Sequence, residues 1–192
     1  GNGFHKPNID AIKWLYESIW PEILKTLPQA TVEIYGAYLP KQILQLHHPK
    51  KGFYIKGQIP KVANAMEKAR VNLAPLRFGA GIKGKILEGF RHGVPNITTP
   101  IGAEGMQYNE FWPGLITQEA SAFAQKAIQL YQDKNLWEEK RQLGYTYINN
   151  FFSKELHRNT FLETIKILLA TLENHRTKNF IGNMLSQQAF QA

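Results

Sequence analysis

Residues 71–99, VNLAPLRFGAGIKGKILEGFRHGVPNITT, decide the fold of this chain. Apolar and β-branched runs at both ends predict two buried strands, and the middle predicts a glycine-rich turn followed by a short helix. Gly93, with Pro95 just beyond it, is a typical helix stop, so we expect the helix over residues 84–92. A glycine turn between strand and helix brings flexible backbone to the positive end of the helix, which is an arrangement that binds anions.

The same alternation of strands and helices continues on both sides of this stretch. Further strands are predicted at 31–36, 53–57 and 114–117, and further helices at 8–25, 40–48, 60–69, 119–132, 134–149 and 153–172. Such alternation predicts an α/β fold of the Rossmann-like, three-layer α/β/α type, with a parallel sheet and a helical C-terminal region. Ligands of such sheets bind at the carboxyl ends of the strands, where the loops at Gly57, 79–83 and Gly102 should line one crevice.

Composition excludes several classes of protein. The hydrophobic content of 43% with 20% charged residues is that of a globular domain rather than a disordered chain. Cysteine is absent, which excludes disulfides and thiolate metal sites and fits the cytoplasmic location that we expect. No apolar run approaches the roughly 20 residues that a membrane-spanning helix needs.

The net charge of +8 is spread along the chain. The 23 lysines and arginines form no dense block and accompany no RNA-binding or zinc-finger signature, so nucleic acid is not predicted as a partner. A positive surface suits an anionic substrate, or peripheral contact with an anionic membrane face. The six histidines show no metal-ligand spacing beyond the adjacent His47 and His48, and no metal is expected.

The glycine turn contains the spacing of a dinucleotide-binding motif, Gly79-x-Gly81-x-x-Gly84. That motif needs an acid at the end of the next strand to hold the ribose, but the strand here ends at Thr99. Glu104 has about the right offset, yet it lies past the strand tip. A Rossmann domain for NAD or another nucleotide therefore stays an alternative without its main support.

The same turn also contains most of a phosphate loop, because Gly79 and Gly84 are followed by Lys85. The next residue must be Ser or Thr to hold magnesium, and here it is Ile86. A nucleoside triphosphatase is therefore disfavoured.

A third interpretation depends on geometry. The backbone N–H groups of the 79–84 turn and the start of the helix form an anion site, beside which Lys83 and Lys85 add charge. Glu88 lies on the same side of the helix as Lys85, where a carboxylate can accept hydrogen bonds from two ribose hydroxyls. The structural alternative is a solvated ion pair between Lys85 and Glu88, three residues apart.

Three segments carry a resemblance to a known family: 74–89 (APLRFGAGIKGKILEG), 93–95 (GVP) and 98–105 (TTPIGAEG). They resemble the donor-binding half of the family-4 (group 1) glycosyltransferases of the GT-B fold. Residues 7–12, PNIDAI, are similar to the start of that domain in one branch of the family. The resemblance covers roughly residues 3–170 and is most specific between 74 and 105.

GT-B enzymes pair two Rossmann-like domains and bind the sugar nucleotide in the cleft between them. The resemblance implies that this chain is the C-terminal half, with a donor-binding domain at 1–172 and a tail at 173–192 that docks on the other domain. Because 192 residues hold one such domain, the N-terminal Rossmann domain is expected as a missing partner. The fragment alone is expected to be inactive.

The resemblance also implies roles for particular residues. Glu88 matches the glutamate that binds the donor ribose, and Gly57 and Gln58 lie where family members hold the nucleobase edge. The loop that contacts the diphosphate and the transferred sugar corresponds to Gly79, Ala80, Gly81, Ile82 and Lys83. Lys83 and Glu88 are the residues that we expect to matter for catalysis.

Two positions depart from the family pattern. Ala80 stands where many members have an earlier glutamate that contacts the transferred sugar, so the identity of the sugar stays open. Many members also have an arginine and a lysine near the start of the domain, where this chain offers only Lys6. We therefore expect Lys83, with Arg77 or Lys85, to neutralise the diphosphate.

The function implied by the resemblance is a retaining glycosyltransferase of the hexosyltransferase type. It would transfer a sugar from a nucleoside-diphosphate sugar to a glycan or lipid-linked glycan in cell-envelope polysaccharide biosynthesis, without a cofactor. A sugar-nucleotide epimerase on the same fold is an alternative, although no clear acid–base pair for it is found. A non-enzymatic anion or nucleic-acid binder is another, and it would show steeply salt-dependent affinity.

Overall fold

The computed structural model describes residues 1–108 and 111–189, and it begins with a helical region of uneven pitch. Helix α1 (Lys6–Trp14) continues through a π-helical segment (Leu15–Ile19) into helix α2 (Trp20–Thr26). The sequence predicted one helix here, and the helical region is confirmed. The π segment ends two residues before Pro21, which has no N–H to donate and whose ring crowds the preceding turn, so the wider turn accommodates it.

Five short parallel strands form two hydrogen-bonded ladders in the described residues. In the first ladder β1 (Val32–Tyr35) pairs with β2 (Phe53–Gly57). In the second, the order is β3 (Asn72–Ala74), β4 (Asn96–Thr98) and β5 (Leu115–Ile116). Every predicted strand is found and every pairing is parallel, as expected.

Four of the remaining helices lie within two residues of their predicted positions, but those expected over 40–48 and 60–69 are only four residues long. The remaining helices are α3 (Lys41–Leu44), α4 (Ala63–Met66), α5 (Gly84–Arg91), α6 (Pro100–Ala103), α7 (Ala120–Gln132), α8 (Lys134–Phe151), α9 (Lys154–Ala170), α10 (Leu172–Lys178) and α11 (Phe180–Ala189). A 3₁₀ turn at Pro49–Lys51 precedes β2. Helix α6 was not predicted; Thr99 caps it by accepting a hydrogen bond from the N–H of Gly102 (3.1 Å).

Helices cover both faces of the second ladder, which confirms the three-layer α/β fold. On one face, Ile97 of β4 packs in a buried cluster with residues of α2 and α7, among them Ile23 and Phe123. Side chains alternate along a strand, so Asn96 points to the opposite face, where it bonds the backbone of α5. Phe53 of β2 belongs to the same buried cluster as Ile97, and the two ladders therefore share one core.

Aromatic rings also hold α5 in place. Phe90 makes edge contacts with Trp112 and Tyr147, with ring centroids 5.5 Å apart in both pairs. The Tyr147 hydroxyl donates a hydrogen bond to the backbone oxygen of Met106, and burial raises the pKa of this tyrosine. Helix α5 is thus fixed between the strands and α8.

By its contacts the chain divides into two units, Gly1–Asn149 and Asn150–Ala192. The second unit contains α9, α10 and α11, and Ser153 caps α9 by accepting a hydrogen bond from the N–H of Leu156 (3.2 Å). The expected division after residue 172 stays a prediction. Among the helices of residues 1–108 and 111–189, none combines the length and the apolar content needed to cross a membrane.

Candidate functional site

A cavity of about 520 Å³ lies between the two ladders. Residues 33–36 of the β1 side and 72–76 of the β3 side form two of its walls, one from each ladder. The cavity includes the carboxyl ends of both strands, at Tyr35 and Ala74. Open α/β sheets bind ligands at such positions.

Three of the predicted binding residues line this cavity: Gln58, Lys85 and Glu88. Gln58 comes from the loop after β2, and Lys85 and Glu88 come from α5, which follows β3. Gly57 has a left-handed backbone (φ +74°), and its carbonyl accepts a hydrogen bond from the N–H of Gly36 (2.8 Å). This turn carries Gln58 from the end of β2 to the cavity.

The glycine loop presents unpaired backbone donors. Gly79 (φ +128°) and Gly81 (φ +76°) both adopt the conformations that glycine favours. Among the described residues, none accepts a hydrogen bond from the N–H groups of residues 79–82, Gly84 or Lys85. Gly84 and Lys85 belong to the first turn of α5. The positive end of this helix and the amides of the loop are therefore available to the same anion.

Lys83 is buried against this loop rather than exposed in the cavity. Its side chain has a relative exposure of 7%, and its ammonium lies 3.5 Å from the backbone oxygen of Gly79. Its own N–H points to the sulfur of Met106 (3.3 Å). Ala80 and Ile82, in the same loop, are exposed.

Lys85 is the lysine that lines the cavity. Its ammonium donates a hydrogen bond to Oδ1 of Asn8, which belongs to the first turn of α1. Burial lowers the pKa of Lys85, and the nearby charge of Lys83 lowers it further. The ammonium is therefore partly desolvated and would be stabilised by an anion.

Glu88 forms ion pairs on the surface of α5 with Arg91 and His92, not with Lys85. Its carboxylate lies 3.4 Å from Nε2 of His92 and 3.8 Å from Nη1 of Arg91, and its side chain keeps a relative exposure of 37%. The alternative to a ribose site was an ion pair between Lys85 and Glu88. Among the described residues, the ion pairs of Glu88 are with Arg91 and His92, and Lys85 bonds Asn8. Lys85 and Glu88 both face the cavity instead.

Arg77 lies apart from these residues. Its guanidinium bonds both carboxylate oxygens of Asp10, with Nε 2.9 Å from Oδ2, and it lies over the ring of Trp14. The hydrogen bond to Asp10 raises the pKa of Arg77. It lines a second cavity of about 400 Å³ with Thr99 and Glu119. The structure therefore separates Arg77 from the cavity that contains Lys85.

The sequence reasoning missed two asparagines that fix α5. Asn72 donates a hydrogen bond to the backbone oxygen of Lys85 (3.0 Å), and Asn96, which is fully buried, donates to that of Ile86 (3.2 Å). The two side chains also bond each other. Asparagine is uncommon in strands, so one at the start of each of two strands was the signal that could have indicated them.

Comparison with known proteins shows the family of this chain. The sequence model of a family described as "Glycosyl transferases group 1" matches residues 2–133, which is more than half of the chain. Among curated proteins, no sequence matches.

Several solved structures have a similar fold. A point mutant of TarM from S. aureus, in complex with UDP and other ligands, is 17% identical with a TM-score of 0.67, over 79% of this chain and 32% of that one. The pneumococcal O-GlcNAc transferase GtfA, in complex with UDP and GlcNAc, is 24% identical with a TM-score of 0.65, over 82% and 33%. This chain thus spans about a third of the length of either protein.

A third similar structure is itself a domain. It is the C-terminal domain of LpcC from Francisella tularensis, described as a group 1 family glycosyl transferase, at 17% identity and a TM-score of 0.59. The match covers 80% of this chain and 84% of that domain. The fold expected for a C-terminal GT-B half is thereby confirmed.

Proposed function

The chain belongs to the group 1 glycosyl transferases, and from this premise we propose that it is the donor-binding domain of a retaining glycosyltransferase. The donor would be a nucleoside-diphosphate sugar. The observation that carries the proposal is the cavity between the ladders, which Gln58, Lys85 and Glu88 line, together with the unpaired amides of the glycine loop that precedes Lys85 in the chain. The acceptor would be a glycan or lipid-linked glycan of the cell envelope, and the transferred sugar a hexose.

The diphosphate would lie at the glycine loop. When the bond from sugar to diphosphate breaks, the leaving group gains negative charge, and donors preorganised for that charge are usually the largest catalytic contribution. The N–H groups of residues 79–82 and the first turn of α5 offer such donors. Lys85 adds a desolvated ammonium beside them, and Lys83 adds a second positive charge through the loop that it supports.

The nucleoside would extend from Glu88 toward Gln58. A carboxylate with two free lone-pair directions accepts hydrogen bonds from both ribose hydroxyls. Glu88 meets this requirement, since its contacts with Arg91 and His92 are longer than hydrogen bonds of ideal length. The base edge would then face the backbone of Gly57 and the side chain of Gln58.

UDP is the first ligand to test, since TarM and GtfA were both crystallised with it. Calorimetric titration of UDP into the wild-type chain should show binding that Glu88→Gln weakens by about 10- to 100-fold, as expected when a hydrogen bond to a charged group is lost. Lys83→Ala should weaken it less. Glu139→Gln, an exposed glutamate of α8, is the matched control and should bind as the wild type does. Equal affinity of Glu88→Gln and wild type would refute the assignment of Glu88.

A further inference from the structure

Two aromatic rings that the family assignment does not explain lie exposed near the cavity. Phe4 and Tyr38 stack on each other with ring centroids 4.9 Å apart and planes 19° apart. Their relative exposures are 74% and 68%, so the pair leaves most of its apolar surface in water. Exposed rings held in one arrangement are a typical surface for binding another flat ring.

The backbone at Tyr38 is strained in a way that presents this ring. Its φ is +56°, and among the described residues no other non-glycine residue has a positive φ. A bulky side chain is uncommon in this conformation. Strain of this kind persists only where the surrounding structure imposes it, and it clusters at ligand sites.

The start of the chain imposes this conformation on Tyr38. The N–H of Gly3 donates a hydrogen bond to the carbonyl of Ala37 (2.8 Å), which ties the loop after β1 to the start of the chain. A Cβ on Gly3 would lie 2.1 Å from the carbonyl oxygen of Tyr38, so only glycine allows this approach. The N–H of Phe4 is held by Oδ1 of Asn2 (2.9 Å).

The ring pair lies at the same edge of the fold as the proposed nucleoside site. Ala37 and Leu39, the neighbours of Tyr38, both line the cavity, as does Gln58. The turn that carries Gln58 bonds the turn that precedes Tyr38, through the Gly36 N–H and the Gly57 carbonyl (2.8 Å). A ligand that extends from Glu88 past Gln58 therefore comes to the loop that holds Tyr38.

We propose that Phe4 and Tyr38 form a stacking platform for the nucleobase of the donor, an inference that rests on the proposed function. The diphosphate and ribose are assigned to polar groups, whereas a base needs a surface for its flat, apolar face. Every base has such a face, so the platform adds affinity without choosing among bases. Discrimination between bases is left to the groups at the base edge, at Gly57 and Gln58.

Calorimetric titration of the full chain with UDP and with inorganic diphosphate separates this inference from the proposed function. Tyr38→Gly and Phe4→Ala should each weaken UDP binding by about 5- to 100-fold, the range that loss of one aromatic–base contact produces. Binding of inorganic diphosphate should not change in either variant. Tyr38→Phe keeps the ring and should bind UDP as the wild type does. Tyr131→Ala, an exposed tyrosine of α7, is the matched control.

Thermal unfolding distinguishes loss of stacking from loss of folding. Glycine adopts a positive φ without strain, so Tyr38→Gly should have a melting temperature no lower than that of the wild type. Stacking also has a spectroscopic signature: the uracil H5 and H6 resonances should move upfield on binding to the wild type and not on binding to Tyr38→Gly. If the wild type binds UDP and both variants bind it equally well, the platform is refuted while the proposed function stands. If the wild type binds neither UDP nor diphosphate, both are refuted.

Discussion

Asn72 donates a hydrogen bond from its side-chain amide to the backbone oxygen of Lys85, over 3.0 Å. This contact joins β3 to the first turn of α5, the turn that carries the unpaired N–H groups and Lys85 of the proposed diphosphate site. Asn96 repeats the arrangement one residue further along the helix, at Ile86. Asn72, which itself lines the cavity, and the buried Asn96 therefore help to set the position of the proposed diphosphate site.

Replacement of Asn72 by alanine should destabilise the fold and weaken ligand binding together. The substitution removes a half-buried donor and leaves Oδ1 of Asn96 without this partner, which costs about 1–3 kcal/mol. Denaturant unfolding measures the loss of stability, and UDP titration measures the loss of affinity. Asn64→Ala, at an exposed position in α4, is the control and should change stability by less than about 0.5 kcal/mol. A fully stable Asn72→Ala variant would show that the contact does not hold α5.

Two glycines of α5 should respond in opposite ways to alanine. A Cβ on Gly89 would lie 2.6 Å from Oδ1 of Asn96, so Gly89→Ala should push the helix from the strand and destabilise the protein by about 1–3 kcal/mol. A Cβ on Gly84 meets nothing within 4 Å, and Gly84→Ala should leave stability unchanged or slightly raised. Thermal unfolding of both variants tests this. The same melting temperature for the two would contradict the close packing at Gly89.

Lys85, rather than Arg77, lines the cavity proposed for the diphosphate. Arg77 is already bonded to Asp10 and lines a different cavity. Lys85→Gln should therefore weaken UDP binding by about tenfold or more, whereas Arg77→Gln should change it by less than about twofold. If Arg77→Gln has the larger effect, the sequence expectation for Arg77 holds and the cavity assignment is wrong.

Binding of UDP should depend on the protonation of Lys85. Burial lowers the pKa of this lysine from its ordinary value of 10.5, so it loses its charge at a lower pH than an exposed lysine does. A bound diphosphate favours the charged form and raises the pKa again, and protons are taken up on binding. Affinity should fall as the pH rises from the lowered pKa toward the pKa of the complex.

Calorimetry at several pH values, in buffers of different ionisation enthalpy, measures this proton uptake directly. Lys85→Gln has no group to titrate at this position and should lose that part of the pH dependence. An affinity that rises with pH in this range, or an unchanged slope in Lys85→Gln, would show that Lys85 is not at the diphosphate.

Local patterns made most of the fold predictable. Glycine or proline marked the ends of the strands, and the apolar period of about 3.6 residues marked the long helices. The alternation of strands and helices then indicated parallel pairing. The loops at Gly57, 79–83 and Gly102 were predicted to line one crevice, because each follows the carboxyl end of a strand. The cavity is instead lined by Gln58, Lys85 and Glu88, which follow two of these loops, and, in the part of the chain that the structure describes, by none of the loop residues themselves.

Contacts between distant residues were not predictable in the same way. The partner of Arg77 is Asp10, 67 residues earlier, and nothing in the spacing indicates it. The burial of Lys83 follows from the position of its loop, not from its neighbours in sequence. The strain at Tyr38 depends on the approach of Gly3, which only the folded chain shows.

The most direct test of the proposed function is calorimetric titration of the wild-type chain with UDP, GDP and ADP, alongside inorganic phosphate. The account predicts binding of at least one nucleoside diphosphate with a stoichiometry of one, tighter than phosphate and lost or strongly weakened in Glu88→Ala. Binding by none of the three at millimolar concentration would contradict it. So would equal affinity for the nucleotides and phosphate, since that result would leave Glu88 and the nucleoside part of the cavity without a role.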